Sequence, residues 1–144
     1  MAKAYLKDKA SQSYFHDSFR LTYVENTGAA MSLGDGISKT ASFWVLSILP
    51  LCFLGGFFVY IINKSNRISY KKLLVFSLIF AGGIGNILDR LWFDRHVSDF
   101  MNIGWGYIRT GIFNFADVWI TSGVICLFFF GSYLNQKPPL TRVG

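Results

Sequence analysis

Residues 112–134 read IFNFADVWITSGVICLFFFGSYL, an apolar stretch that carries a single charge, Asp117. About 20 apolar residues in a helix cross the hydrocarbon core of a bilayer, since each residue adds about 1.5 Å. An ionisable side chain inside such a segment is costly to bury and usually marks a functional site. The stretch therefore predicts a transmembrane helix with a functional carboxylate near its start. The alternative is a first-turn carboxylate that only complements the helix dipole.

Two further apolar blocks, residues 41–62 and 73–88, carry no charge. Of the 144 residues, 52% are hydrophobic and 15% are charged, whereas a soluble domain has about a quarter charged residues. The composition and its blocks predict an α-helical integral membrane protein with three transmembrane helices in this chain. We place these helices at residues 41–62, 73–90 and 112–134, all within a single membrane domain spanning residues 1–144.

Basic residues set the expected orientation. The connection at residues 63–72 contains four cations and no acid, and the tail at residues 135–144 contains Lys137 and Arg142 and no acid. Short basic connections remain in the cytoplasm, so both segments are predicted to be cytoplasmic. Residues 1–40 and 91–111 would then lie on the extracytoplasmic side.

The N-terminal segment is unusually basic for that side of a membrane. It lacks a signal peptide, so we expect the intact protein to have another crossing before Met1. Within it, residues 19–24 (FRLTYV) have strand character and residues 33–36 (LGDG) favour a turn. We therefore expect a small extracytoplasmic β element lying on the membrane surface. Its cations are Lys3, Lys7, Lys9, Arg20 and Lys39.

Polar side chains collect toward one membrane face. In a helix, Asn86 and Arg90 share a face, with Asp89 beside them, and the start of the third block places Asn114 on the face of Asp117. A packing motif around Gly82 and an arginine reaching the interface is the alternative at the first cluster.

Asp99 lies among apolar residues in the segment between these helices. Taken alone it could be a surface-loop aspartate, but it must share a membrane face with Asp117. Two carboxylates held close share one proton, so that one accepts a proton from water while the other donates to a carbonyl oxygen. This is aspartic protease chemistry.

Four short motifs occur in a particular order. They are residues 26–30 (NTGAA), 85–90 (GNILDR), 97–100 (VSDF) and 113–117 (FNFAD). In order and spacing they resemble the lipoprotein signal peptidase family, also called signal peptidase II, over roughly residues 21–134. The family has an opening helix that ends in an Asp-Gln-x-x-Lys-like motif, and residues 1–6 (MAKAYL) look like what would follow or end that motif. Met31 replaces the Phe that usually follows Gly-Ala-Ala, an apolar exchange that we expect to be tolerated.

The resemblance implies a four-helix aspartic peptidase of the bacterial cytoplasmic (inner) membrane with its active site at the extracytoplasmic face. It implies cleavage of diacylglyceryl-modified prolipoproteins before the lipidated cysteine, contact with membrane lipids, inhibition by globomycin, and no metal or other cofactor. It further implies that Asp99 and Asp117 are the catalytic pair. The substrate-binding residues implied by it are Asn26, Gly28, Asn86, Arg90 and Asn114.

Two other functions remain open from the residues alone. Asp89, Asp94 and Asp99 could bind Mg²⁺ in a membrane phosphotransferase. The chain could also be a non-enzymatic small membrane protein whose polar residues only join helices. Elsewhere, both cysteines lie inside apolar blocks and are read as packing residues, and the two histidines are too isolated for a zinc site.

Overall fold

The structure, a computed structural model, describes residues 2–28 and 38–134. Parts of the sequence predictions fall outside these ranges: Ala29 and Ala30 of the first motif, Met31, the turn at residues 33–36, and the cytoplasmic tail. Within the described ranges the chain forms a helical membrane part and a small antiparallel sheet. The fold class predicted from the sequence is thereby confirmed.

Three helical segments are long and apolar enough to cross a membrane. The first span is Lys39–Arg67, a continuous run of α2 (Lys39–Phe43), one π-helical stretch (Trp44–Ile48), α3 (Leu49–Lys64) and a 3-10 turn (Ser65–Arg67). The second is α4 (Tyr70–Trp92) and the third is α5 (Phe115–Leu134). Large apolar side chains on these spans are exposed on the protein surface, as expected where lipid surrounds the helices.

Local chemistry explains where the helices begin. Ser69 caps α4 by accepting a hydrogen bond from the Lys72 backbone N–H at 3.3 Å, and its hydroxyl also donates to the Leu134 carbonyl at the end of α5. Helix α5 begins at Phe115, later than the apolar block at residue 112, because Phe113 forms a β-bridge with Met101. Asn114, which lies between Phe113 and Phe115, caps the helix.

Helices α4 and α5 pack closely because glycines lie at their contact. A Cβ on Gly82 would be 2.5 Å from the Ala116 carbonyl oxygen, and a Cβ on Gly123 would clash with the Ile79 side chain. Only hydrogen at these positions lets the backbones approach. Because the helices cross closely at Gly82, the end of α4 lies beside the start of α5. Asn86 on α4 is thereby brought to Asp117 on α5.

The sheet lies at the same end of the helices as Asp117. It comprises β1 (Gln12–Tyr14), β2 (Phe19–Asn26), β3 (Val97–Trp105) and β4 (Ile108–Arg109), antiparallel in the order β1-β2-β3-β4, and a short helix α1 (Ala2–Leu6) packs on it. The strand expected at residues 19–24 is therefore present as β2. The segment expected as a loop at residues 91–111 instead contributes β3 and β4, so Asp99 lies on a strand.

The hairpin between β1 and β2 is held by ion pairing at Asp17. Phe15, His16 and Asp17 have positive φ angles, which non-glycine residues seldom adopt. The Asp17 carboxylate accepts two hydrogen bonds from Arg20, at 2.5 and 2.6 Å, and Arg109 donates to its backbone carbonyl at 2.7 Å. The hydrogen bonds from Arg20 hold the pKa of Asp17 far below its ordinary value. Asp17 therefore stays ionised near neutral pH, and its hydrogen bonds hold the turn in place.

Candidate active site

Asp99 lies in the middle of the β2–β3 pairing, opposite Val24. Only 2% of its surface is exposed. One carboxylate oxygen accepts a hydrogen bond from the Asn26 side-chain amide at 2.8 Å, and the other accepts from the Asn114 side-chain amide at 2.7 Å. A carboxylate this deeply buried is costly unless it is hydrogen-bonded, and these two amides satisfy that requirement.

Asp117 lies in the first turn of α5. Its Oδ2 accepts from the Asn114 backbone N–H at 3.1 Å, while the Asp117 backbone N–H donates to Asn114 Oδ1 at 3.1 Å. This reciprocal pattern is a capping box at the start of the helix. The other oxygen, Oδ1, accepts from the Asn86 side-chain amide at 2.8 Å. The capping role that competed with a functional one is therefore present, and it leaves Oδ1 directed to α4.

Asn114 joins the two aspartates. Its Nδ2 donates to Asp99 Oδ1 and to Asn86 Oδ1, the latter at 3.1 Å, and its backbone binds Asp117. Asn114 is itself buried, with 6% of its surface exposed. The two carboxylates therefore belong to one hydrogen-bonded network that also contains three asparagine amides, those of Asn26, Asn86 and Asn114.

Arg90 fastens the chain after β2 to the end of α4. Its Nη2 donates to the Gly28 carbonyl at 2.8 Å, and the Gly28 N–H donates to Asn26 Oδ1 at 2.9 Å. The guanidinium charge also acts electrostatically on Asp117 and Asp99. Arg90 and Gly28 thus support the amide that binds Asp99.

Burial sets the protonation behaviour of Asp99. Removal from water raises the pKa of this carboxyl, and the negative charge of Asp117 raises it further. Hydrogen bonds from Asn26 and Asn114 and the positive charge of Arg90 oppose these effects, but the net shift of the Asp99 pKa is upward. Asp99 therefore retains its proton at pH values at which an ordinary aspartate would have lost it.

A cleft of about 280 Å³ lies beside this network. Asn86 and Asn114 line it, so it reaches the groups bonded to both aspartates; Asn26, Gly28 and Arg90 are not among its lining residues. The rest of the lining comes from α1, the ends of α4 and α5, and β3. Those residues are Ala2, Lys3, Gly85, Asp89, Phe93, Ser98, Phe100, Phe115 and Ala116.

Lys3 and Ser98 are two of the polar lining residues that were not proposed as site residues from the sequence. In the sequence, Lys3 counts among the excess of N-terminal cations and lies in residues 1–6, which look like what would follow or end the family's Asp-Gln-x-x-Lys-like motif, but no role in the site was assigned to it. Ser98 lay within the VSDF motif but had no assigned role. Only the packing of α1 on β2 and β3 brings Lys3 to the cleft.

The three aspartates considered for Mg²⁺ do not converge. Asp89 accepts a hydrogen bond from the Ser98 backbone N–H at 3.2 Å and so joins α4 to β3. Asp94 is exposed and pairs with Arg95, while Asp99 is enclosed by amides. Among residues 2–28 and 38–134, no three His, Cys, Asp or Glu side chains form a group that could hold a metal ion.

The cysteines and histidines lie apart from the aspartates. Cys52 and Cys126 are free thiols on different spans. His96 lies 3.6 Å from a Glu25 carboxylate oxygen, whereas His16 lies in the exposed β1–β2 turn. Within residues 2–28 and 38–134, the side-chain hydrogen bonds to Asp99 and Asp117 come from asparagines and not from these cysteines or histidines.

Comparison with known proteins gives a consistent family match. The family model for signal peptidase (SPase) II matches residues 1–132. The chain is 33% identical over 129 residues to a lipoprotein signal peptidase of Borrelia duttonii, covering 87% of this chain and 74% of the relative. It is 36% identical over 121 residues to one of Fusobacterium nucleatum, covering 83% and 67%.

Solved structures agree with the sequence match. The fold is similar to a bacterial membrane enzyme solved by the in meso method at 2.3 Å, with a TM-score of 0.69 and 29% identity over 89% of this chain and 75% of that chain. A second structure of a bacterial membrane enzyme, at 1.9 Å, gives a TM-score of 0.66 at 28% identity, covering 86% of this chain and 76% of that chain.

Proposed function

Because the chain belongs to the signal peptidase II family, we propose that it removes signal peptides from diacylglyceryl-modified prolipoproteins by cleaving before the lipidated cysteine. Asp99 and Asp117 are the catalytic pair of this aspartic endopeptidase. The observation that carries the assignment is the network in which Asn114 binds both carboxylates. It keeps the two acids together beside the cleft that Asn86 and Asn114 line.

The mechanism uses the pair as a unit that holds one proton. The ionised member takes a proton from a water molecule, whose oxygen then forms a bond to the scissile carbonyl carbon. The protonated member donates its proton to the carbonyl oxygen, giving a tetrahedral intermediate without a covalent enzyme adduct. When the carbon–nitrogen bond breaks, the nitrogen takes the proton that the pair removed from water, and one hydroxyl of the intermediate returns its proton to the pair, leaving a signal-peptide carboxyl group and a lipidated cysteine with a free amino group.

The asparagines and the arginine divide into two groups in this proposal. Asn86 and Asn114 line the cleft and are placed to contact substrate. Asn26, Gly28 and Arg90 act by holding Asp99 and the chain after β2, because they bind one another or the aspartate. Such support keeps the acid pair in a fixed geometry before substrate arrives.

The proposed location is the bacterial cytoplasmic membrane with the site at the extracytoplasmic face. The basic residues 63–72 lie at the end of the first span and the start of α4, whereas the site residues Asn86 and Arg90 lie near the end of α4. A helix of this length spans the hydrocarbon core, so the two features lie at opposite faces. The positive-inside rule then directs the site outward.

Asparagine substitutions test the catalytic pair. Asp99→Asn and Asp117→Asn should each abolish cleavage of a lipidated prolipoprotein, measured by gel shift, because the amide can neither accept the water proton nor share one. The amount of folded membrane protein should change little. Asp94→Asn is the matched control, since Asp94 is exposed and away from the network, and it should cleave like the unchanged protein. Full activity in either pair variant would overturn the assignment.

Globomycin provides a second, independent readout. Cleavage by this chain should be blocked by globomycin and should persist in EDTA. Loss of cleavage in EDTA that added Mg²⁺ restores would contradict the aspartic mechanism.

A further inference from the structure

The basic N-terminal segment contains a cluster centred on one carboxylate. Lys3 and Lys7 both approach Glu25 Oε1, at 3.1 and 3.2 Å, and the Tyr23 hydroxyl donates to the same oxygen at 3.2 Å. The hydrogen bonds from Lys3 and Lys7 lower the pKa of Glu25 to about 2. Glu25 is thus ionised throughout the pH range in which bacteria grow, and it neutralises part of the excess positive charge.

The two lysines share this partner but differ in position. Lys3 lines the cleft beside Asn86 and Asn114, whereas Lys7 does not. The Lys3 ammonium also lies 5.8 Å from the centroid of the Phe93 ring, another lining residue. About two-fifths of the Lys3 side chain remains exposed, at 42%. Lys3 is therefore both held in place and accessible from the cleft.

The ion pairs themselves add little to folding. Glu25 and both lysines are substantially exposed, and exposed ion pairs contribute little stability because water and salt screen them. An ammonium group has three donors, and Glu25 accepts only one of those of Lys3. The remaining donors are free to bind a molecule in the cleft.

We propose that Lys3 is a substrate-binding residue whose ammonium group donates a hydrogen bond to a carbonyl oxygen of the substrate, and that Glu25 is the positioning residue that holds it at the cleft. This inference rests on the proposed function. The lipidated segment around the scissile bond offers two kinds of neutral hydrogen-bond acceptor: peptide carbonyls and the ester carbonyls of the diacylglyceryl group. The acceptor for Lys3 is therefore a carbonyl oxygen. The apolar rings of Phe93, Phe100 and Phe115 line the same cleft and suit the apolar parts of such a substrate.

The test is steady-state cleavage of a lipidated prolipoprotein by the full chain in lipid. Lys3→Met keeps the aliphatic stem and removes the charge; it should raise KM about tenfold and leave kcat nearly unchanged, as expected for one lost hydrogen bond to a charged group. Lys3→Arg should restore most of the affinity. Glu25→Gln should raise KM to a smaller extent, because it releases Lys3 without removing it.

Lys7→Met is the matched control. It removes the other ion pair to the same Glu25 oxygen but no group from the cleft. KM should therefore stay within about twofold of the unchanged protein. An equal rise of KM in the Lys3→Met and Lys7→Met variants would show that the cluster acts only on structure and would overturn the inference, as would an unchanged KM in Lys3→Met.

A substrate with ether-linked in place of ester-linked chains identifies the acceptor. If Lys3 binds an ester carbonyl, Lys3→Met and the unchanged protein should have similar KM values for the ether substrate. If Lys3 binds a peptide carbonyl, the difference should persist. Either result supports the role of Lys3. A chain that cleaves neither substrate would overturn the proposed function, whereas normal cleavage with no effect of Lys3→Met would overturn this inference alone.

Discussion

At the scale of single residues, three asparagine amides determine how the two aspartates behave. Asn26 and Asn114 each donate to one oxygen of Asp99, and Asn86 donates to Asp117. An amide donor stabilises the ionised form of the carboxylate it binds. The amides therefore limit how far burial raises the pKa of Asp99, and they hold both acids in one orientation.

The pH dependence of cleavage should respond to Asn26. Asn26→Leu removes a hydrogen bond that favours ionised Asp99, so the pKa of Asp99 should rise further above its ordinary value. The acidic limb of the profile of kcat/KM against pH, which reports ionisation of the pair, should move to higher pH by about one unit. Asn66→Leu, at an exposed position in the 3-10 turn that ends the first span, should leave the profile unchanged. A shift toward lower pH in Asn26→Leu would contradict this account.

Asn114 combines a structural and a functional role that substitutions can separate. Ser is a good helix cap but lacks the amide donors, so Asn114→Ser should retain α5 and lose the bonds to Asp99 and Asn86. We expect kcat to fall about a hundredfold with little change in unfolding temperature. Asn114→Ala should lower kcat similarly and in addition destabilise the fold by about 1 kcal/mol. Comparable thermal stability of the two variants would argue against the capping role.

At the scale of elements, the contact between α4 and α5 decides whether the site exists. Asn86 and Asp117 lie on different helices, and their hydrogen bond at 2.8 Å requires the close approach that Gly82 allows. The β2–β3 pairing has the same role for Asn26 and Asp99. The site thus depends on one helix crossing and one strand pairing.

Gly82→Ala should loosen the helix crossing. The new methyl group would meet the Ala116 backbone, which can move only by separating the helices, at a cost of about 1–3 kcal/mol. The unfolding temperature in detergent should fall, and cleavage should fall with it. Gly131→Ala in α5 is the control, because a Cβ there meets nothing within 4 Å, and it should be neutral or slightly stabilising. Equal effects at both glycines would contradict the proposed contact.

At the scale of the whole molecule, the orientation in the membrane can be tested by labelling. The test uses a chain in which Cys52 and Cys126 are replaced by Ser and a single cysteine replaces Tyr107. This cysteine should react with a membrane-impermeant maleimide that is added to cells whose outer permeability barrier has been removed and whose cytoplasmic membrane is intact. A cysteine at Asn66 should react only after the membrane is opened. Both side chains are exposed, so a difference reports the membrane face and not burial. The reverse pattern would contradict the proposed orientation.

Much of the molecule could be predicted from the sequence because membrane insertion is a local property. The length and apolarity of a segment decide whether it crosses a bilayer, and three such segments are found as helices. For the same reason Asp117 was recognised directly: a charge inside an apolar block conflicts with its surroundings. The aromatic and β-branched run at residues 19–24 similarly indicated β2.

Asp99 shows where local information ends. Its neighbours in sequence did not distinguish a surface loop from a strand, and its carboxylate is bound by Asn26 on β2 and Asn114 at the start of α5, which lie 73 and 15 residues away along the chain. Lys3 was less recognisable still, since the resemblance of residues 1–6 to the end of a family motif assigned it no role and only the packing of α1 places it at the cleft. Strand pairing and helix crossing are contacts between distant segments, and a single sequence carries no direct record of them.

The sequence by itself therefore determined the membrane-spanning architecture and Asp117 as an unusual charge, because both depend on the free energy of placing a segment in lipid. Only the tertiary structure decided that Asp99 is buried, that Asn114 binds it together with Asp117, and that Lys3 lines the cleft beside them. Those features depend on the packing of α1 and on contacts between elements, such as the hydrogen bonds from Asn26 and Asn114 to Asp99 at 2.8 and 2.7 Å, which form only after the helices and strands have packed.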